Sequence, residues 1–208
     1  MPESSQTIAE TVSAVADGHL DSRQWVEHCL ERVRNNEALG SWSFIDEARA
    51  LARADQMDRI RKDGSALGSL HGCPIGVKDI IEVKAMPHGC GSPLMGQVSD
   101  QNAVLVDALE AAGAIILGKT ETTEFAFLNP ARTKNPHSQE YSPGGSSAGS
   151  AAAVASGDVP VAIGSQTNGS VIRPASYCGV YAMKPSAGII PRIGVFEQSP
   201  TLDQMGLF

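Results

Sequence analysis

The chain has 208 residues, 42% apolar and 19% charged, a balance that supports one packed domain and argues against a disordered chain. Lys and Arg number 16 against 23 Asp and Glu, for a net charge of −7, which argues against a nucleic-acid binder with its clustered positive charge. No apolar run approaches the roughly 18 residues of a membrane span. The opening segment, with Glu3 and Glu10, lacks the basic start and apolar core of a secretory signal, so the expected location is cytoplasmic. Cys29, Cys73, Cys90 and Cys178 stand far apart without C-x-x-C spacing, and the five histidines are scattered. Buried free thiols are expected, with no metal site and no cofactor.

In chain order, Thr7 to Glu10 reads as a capping box, followed by Ile8, Val12 and Val15 on one helical face and a stop at Gly18. Asp21 caps a second helix carrying Trp25, Cys29 and Val33 one turn apart. A third runs from near Asp46 to Lys62 and stops at Gly64, its basic end around Arg59 to Lys62 facing solvent. The region of about residues 1–64 is therefore expected to be helical. Short apolar runs then alternate with helical segments. The runs are Ile75–Ile81, Ala114–Leu117, Val159–Ile163 and Gly179–Met183, and the helices span about Asn102–Ala112 and Ser147–Ala155. Such alternation predicts an α/β layered fold with a buried, largely parallel sheet over about 65–208.

Gly113 to Thr120, GAIILGKT, spells a phosphate-binding loop. The context opposes that reading. A helix precedes it, and the four residues between the glycines, Ala-Ile-Ile-Leu, suit a strand; β-branched residues resist the dihedrals of an anion nest. The segment reads as helix cap followed by strand.

Three other segments carry candidate chemistry. Pro143–Ala155 contains Gly144-Gly-Ser-Ser147 ahead of an alanine-rich helix, a composition that suits either a tight turn or close backbone approach. Gly164–Pro174 is a second Gly/Ser knot whose successive N–H groups can converge on one point, as an oxyanion hole requires. Lys78 lies in the apolar Gly72-Cys-Pro-Ile-Gly-Val-Lys-Asp79. Its tail either reaches the surface or is buried with a lowered pKa that makes it a neutral base.

Taken together, these segments resemble the amidase signature family of serine hydrolases. The likeness runs from Ala48 through Leu70–Asp79, Gly118–Ala126, Asn135–His137, Gly144–Ser147 and Gly169-Ser170 to Cys178-Gly179 and Lys184-Pro185, nearly the whole chain. It implies a three-layer α/β/α fold with a mixed, largely parallel central sheet and a Ser-cisSer-Lys triad. Ser170 corresponds to the nucleophile, Ser146 to the bridging serine after a cis peptide, and Lys78 to the base. Backbone N–H groups of Thr167, Asn168, Gly169 and Ser170 correspond to the oxyanion hole, with Ser147, Gln166 and Arg173 in support. The implied reaction is hydrolysis of a small-molecule amide through an acyl-enzyme.

Several positions depart from the family pattern. Ala148 replaces a glycine, Gln166 an aspartate and Asn168 a glycine at a position expected to need positive φ, while Arg173 comes one residue late. Gln166 and Arg173 favour a stand-alone amidase over the alternative, the glutamine-hydrolysing A subunit of a tRNA-dependent amidotransferase, the one reading with a nucleic-acid partner. Members of the family are more than twice as long. The chain therefore reads as an N-terminal portion, with an inert fragment as a further alternative, and with a homo-oligomer or a complementing C-terminal chain as partner.

Overall fold

The computed structural model describes residues 7–208, so the part of the expected N-terminal helical region ahead of Thr7 lies outside the described residues. Helix α1 (Ile8–Ala16) starts at the Thr7–Glu10 capping box, both of whose hydrogen bonds form. Helix α2 (Ser22–Asn35) follows Asp21 and buries Trp25, Val26, Cys29 and Leu30. Strand β1 (Trp42–Ile45) interrupts the region expected to be helical. Four residues are too few for a period to register, and only pairing with a partner strand makes them extended. Helix α3 (Glu47–Lys62) is capped by the Asp46 side chain, and Arg61 in its last turn reaches Asp21 at 2.5 Å.

Beyond it come β2 (Pro74–Lys78), a small hairpin of β3 (Pro87–His88) and β4 (Gln97–Val98), α4 (Val104–Ala111), β5 (Ile115–Thr120), α5 (Ala148–Ala155), β6 (Val161–Gln166), α6 (Ile172–Cys178) and β7 (Gln204–Leu207). The main sheet has the order β1-β5-β2-β6-β7. β5, β2 and β6 are parallel, while the edges β1 and β7 run antiparallel to their neighbours. This is the mixed, largely parallel sheet that was expected, flanked by helices. α2, α3 and α4 pack on β2 and β5, and α5 packs on β2, β5 and β6 with α6 beside it. From β2 the chain crosses to β5 on one side and then back to β6 on the other. Right-handed crossovers in opposite directions place α4 and α5 on opposite faces.

GAIILGKT is a turn and a strand that follow α4: Gly113 adopts φ +92°, and Ile115–Thr120 forms β5, buried throughout. One expected run is not a strand. In Gly179–Met183, Gly179 adopts φ +67° and ends α6, and Met183 alone makes a bridge, to Leu207. Tyr181 is 99% exposed, so no layer covers this run and its apolar residues do not make it a strand. α6 itself went unpredicted because Pro174 masks it. Proline is tolerated in a first turn, where its missing N–H has no intrahelical acceptor.

Two neighbouring lysines are buried at the C-terminal ends of β2 and β5. Register pairs Val77 with Lys119 and Lys78 with Thr120, so the two lysines point to opposite faces. Thr120 meets Ser150 of α5 at 2.7 Å, which puts Lys78 on the α5 face. On the other face Lys119 Nζ donates to Asp79 Oδ1 at 2.8 Å and to the carbonyl of Pro87 at 2.9 Å. Gly89 N–H also donates to Asp79, tying the 79–92 loop to the sheet. Truncating one member of a buried pair leaves the other charge unmatched. Lys119→Met is expected to cost about 3–5 kcal/mol in urea unfolding, with no change in the slope.

Candidate functional site

In open α/β sheets, ligands bind beyond the carboxyl ends of the strands where the crossover direction reverses. Here that point lies between β2 and β6. Lys78 is the last residue of β2, and Ser165 and Gln166 end β6. The crevice between them holds the groups singled out in the sequence.

Lys78 is fully buried and its tail does not reach the surface. Its Nζ lies 2.6 Å from Ser146 Oγ and 2.9 Å from Ser165 Oγ. Neither neighbour carries charge. Burial lowers the Lys78 pKa to about 7, opposed by Asp203 and Cys90. An amine in this setting exchanges a proton near neutrality, which an ordinary lysine does not.

The peptide between Gly145 and Ser146 is cis. Ser146 is held from both sides, its carbonyl accepting from Thr123 N–H at 3.1 Å and from Thr122 Oγ1 at 3.1 Å. Gly145 leaves room for this packing, since a Cβ there would approach Thr123 Cγ2 to 2.8 Å. Ser147 is fully buried and works as a clamp. Its N–H donates to the carbonyl of Ser170, its Oγ donates to the carbonyl of Ser165, and the N–H of Ser165 donates back to Oγ. One small residue thus fixes the end of β6 and the backbone of Ser170 against the turn that carries Ser146.

Ser170 is 6% exposed, between the end of β6 and the start of α6. None of the backbone N–H groups of Thr167, Asn168, Gly169 and Ser170 donates to a protein acceptor among the described residues. Of the four only Ser170 is buried and Asn168 is exposed, so these donors stay open at the surface, where an anion or a polarised carbonyl can take them. The expectation of positive φ at Asn168 is corrected. Among the described residues the non-glycine positions with positive φ are Ala85, Cys90, Phe125 and Ala126, so Asn168 sits in ordinary backbone and needs no glycine. Gln166 holds the start of α6, where its Oε1 accepts from Val171 N–H and Ile172 N–H, both at 3.0 Å. A neutral amide oxygen serves here as well as a carboxylate would. Arg173 does not join that network, and its guanidinium lies across Gly169.

The structure also brings in residues that sequence reasoning passed over. Ser165 is the second hydroxyl on Lys78. Thr167 Oγ1 contacts Gln198 Oε1 at 2.7 Å and Asp203 Oδ1 at 2.5 Å, and Asp203 Oδ2 accepts the N–H groups of Gln198 and Ser199. The 198–203 turn therefore pins the loop of unpaired N–H groups. Ser165 was within reach of the sequence, since it lies just past the apolar run Val159–Ile163. Asp203 was not, because its partner is 36 positions away. All four cysteines are free and buried, as expected, and burial pushes the Cys90 thiol up to about 12. No cluster of His, Cys, Asp or Glu suited to a metal ion is found among the described residues, and no described helix is long and apolar enough to cross a membrane.

Gln166 gives a direct check on this local architecture. Gln166→Ala strands two N–H groups at the start of α6 and is expected to cost about 1–2 kcal/mol in denaturant unfolding. Gln166→Glu keeps the acceptor and is expected to stay within about 0.5 kcal/mol of the parent.

The family model described as Amidase matches residues 24–208. The A subunit of the glutamyl-tRNA(Gln) amidotransferase of Endomicrobium trichonymphae is 37% identical over 97% of this chain and 43% of its own length. That of Clostridium botulinum (strain Eklund 17B / Type B) is 41% identical over 85% of this chain and 38% of its own. Among solved structures, native peptide amidase from Stenotrophomonas maltophilia superposes with a TM-score of 0.94 at 33% identity, covering 99% of this chain and 45% of that one. The chain spans less than half the length of these relatives. With a family model matched from α2 to the last residue, and with this sheet and its order of motifs, the chain belongs to the amidase signature family.

Proposed function

We propose that this chain carries the catalytic centre of a serine amidohydrolase, which cleaves a carboxylic amide C–N bond to an acid and ammonia or an amine. The observation that carries the reading is the setting of Lys78, buried with two serine hydroxyls within 2.9 Å of its Nζ and, among the described residues, no carboxylate in hydrogen-bond contact with it. Neutral Lys78 accepts the proton of Ser146 through its nitrogen lone pair. Ser146 accepts the proton of Ser170 as Ser170 Oγ attacks the amide carbon. The carbonyl oxygen, now negative, meets the N–H groups of the 167–170 segment; each such donor is worth about 3 kcal/mol. The C–N bond breaks as the proton returns through Ser146 to the leaving nitrogen, giving an acyl-Ser170 ester and an amine. Water then attacks the ester by the same relay and frees the acid. Ser147 and Gln166 keep the two serine-bearing segments in register.

The names of the curated relatives support a second reading, release of ammonia from glutamine as the A subunit of a tRNA-dependent amidotransferase. The two readings share the acyl-enzyme chemistry and part at the substrate and the partner chains. Exposed apolar side chains at Tyr181 and Met183, the latter bridged to Leu207 of the edge strand β7, support a further polypeptide, a complementing chain or a second copy, against this side.

A fluorophosphonate probe tests the nucleophile and base together. Labelling is expected at Ser170, to vanish in Ser170→Ala and to fall at least about 100-fold in Lys78→Ala. With Lys78 at about 7, the neutral base is lost as pH falls. The labelling rate is therefore expected to drop about tenfold per unit below pH 7 and to level off above it. A folded chain that takes no label at Ser170, or a rate flat from pH 5 to 9 (roughly the range of the assay), contradicts the proposal.

A further inference from the structure

Donors kept free for a ligand cannot also anchor the loop that carries them, so the 167–170 segment needs another tether. Among the described residues, Asn168 makes no side-chain hydrogen bond and Gly169 has no side chain, which leaves the hydroxyl of Thr167 to fix residues 167–169. The β6–β7 register runs from Ile163 opposite Leu207 to Gln166 opposite Gln204, and one further step sets Thr167 opposite Asp203. The tether is therefore a cross-strand pair just beyond the end of the ladder. Thr167 Oγ1 has a single hydrogen and two acceptors, Gln198 Oε1 at 2.7 Å and Asp203 Oδ1 at 2.5 Å, and the charged oxygen makes the stronger bond. Asp203 Oδ2 accepts the N–H groups of Gln198 at 2.7 Å and Ser199 at 2.9 Å, so both oxygens of the carboxylate are held.

Asp203 also stands near the base. It lines a small cavity of about 30 Å³ together with Thr167 and Ser165, and Ser165 Oγ is one of the two hydroxyls on Lys78 Nζ. Arg192 and Glu197 border this cavity too, and Arg192 donates to the carbonyls of Ser199 and Pro200, leaving the carboxylate without a cationic partner. Only Asp203 and Cys90 oppose the effect of burial on Lys78, and the Cys90 thiol, pushed up to about 12, carries no charge near neutrality. We propose that Asp203 is a positioning residue of the hydrolase: through Thr167 it aims the free N–H groups at the reacting carbonyl oxygen, and its charge acts on Lys78 across the cavity. This inference rests on the reading of Ser170 as the nucleophile and Lys78 as the base. A nearby anion favours the ammonium form of a lysine, so removing Asp203 lowers the pH at which the neutral base appears.

The rate of fluorophosphonate labelling at Ser170, followed against pH, separates the two effects, since the phosphoryl oxygen of the probe takes the place of the carbonyl oxygen. In Thr167→Val the high-pH plateau is expected to fall at least about tenfold with its midpoint unmoved, and Thr167→Ser, which keeps the hydroxyl, to stay within about threefold of the parent. In Asp203→Asn the plateau is expected to fall by a similar factor and the midpoint to move down by about 0.5 pH unit. A merely structural Asp203 would change the plateau and leave the midpoint in place. Urea unfolding establishes that each variant is folded; where Asp203→Asn is not, Asp203→Ser repeats the charge measurement and the Thr167 pair decides the rest. A plateau in Thr167→Val within about twofold of the parent, or a midpoint that stays or rises on loss of the Asp203 charge, overturns the inference. A parent chain labelled at Ser170 with indifferent variants keeps the hydrolase reading and loses this one, whereas a folded parent that takes no label loses both.

Discussion

The structure is organised around the burial of one amine. Lys78 ends the central strand of the sheet, fully enclosed, with nothing but hydroxyl groups within hydrogen-bond reach of its nitrogen. Burying an ammonium in such surroundings is costly, and the side chain meets that cost by giving up its proton near neutrality. The features around it keep the enclosure closed. Ser146 and Ser165 supply the hydroxyls, Ser147 clasps the ends of two segments, and the backbone of three residues near the strand ends adopts positive φ without being glycine. These are Cys90, Phe125 and Ala126, each costing about 1–2 kcal/mol. They are tied together, since Cys90 N–H donates to the Asp79 carbonyl and Phe125 N–H to that of Cys90. Such strain persists where the surrounding packing leaves no alternative.

The two buried lysines differ in their partners alone. They stand on adjacent strands at neighbouring register positions, and burial lowers the pKa of both. Lys119 has a carboxylate at 2.8 Å, which opposes the shift and makes an ion pair that staples a loop to the sheet. Lys78 has hydroxyls instead. The side chain is the same and the depth similar; the partner on each face of the sheet decides whether the residue is structural or reactive. Sequence alone left Lys119 just beyond the strand run Ala114–Leu117 and gave it no partner, because Asp79 is 40 positions away and becomes a neighbour only when β2 pairs with β5.

What was legible in the sequence follows the same division. Helices announced by caps, α1 at Thr7 and α2 at Asp21, formed where the caps placed them, because a cap is a local hydrogen bond. The central strands were legible as apolar runs because burial on both faces demands it. The edge strands β1 and β7 and the proline-bearing α6 were not, since their conformation depends on neighbours distant in sequence. At the site, Lys78, Ser146, Ser147, Ser170 and the 167–170 segment lie in dense, ordered motifs. Their convergence on one crevice follows from the crossover reversal between β2 and β6. The role of Asp203 came from tertiary hydrogen bonds alone. Asn168 shows the opposite failure, a backbone constraint inferred from residue type that the chain does not impose.

The central claim is that Lys78 loses its proton near neutral pH because of where it is buried. Its titration is directly observable by NMR in a chain with labelled lysine side chains, assigned by comparison with Lys78→Met. The Lys78 Cε and Nζ signals are expected to titrate with a midpoint at about 7, apart from the other lysines. A midpoint in the ordinary lysine range, near 10.5, would contradict the claim.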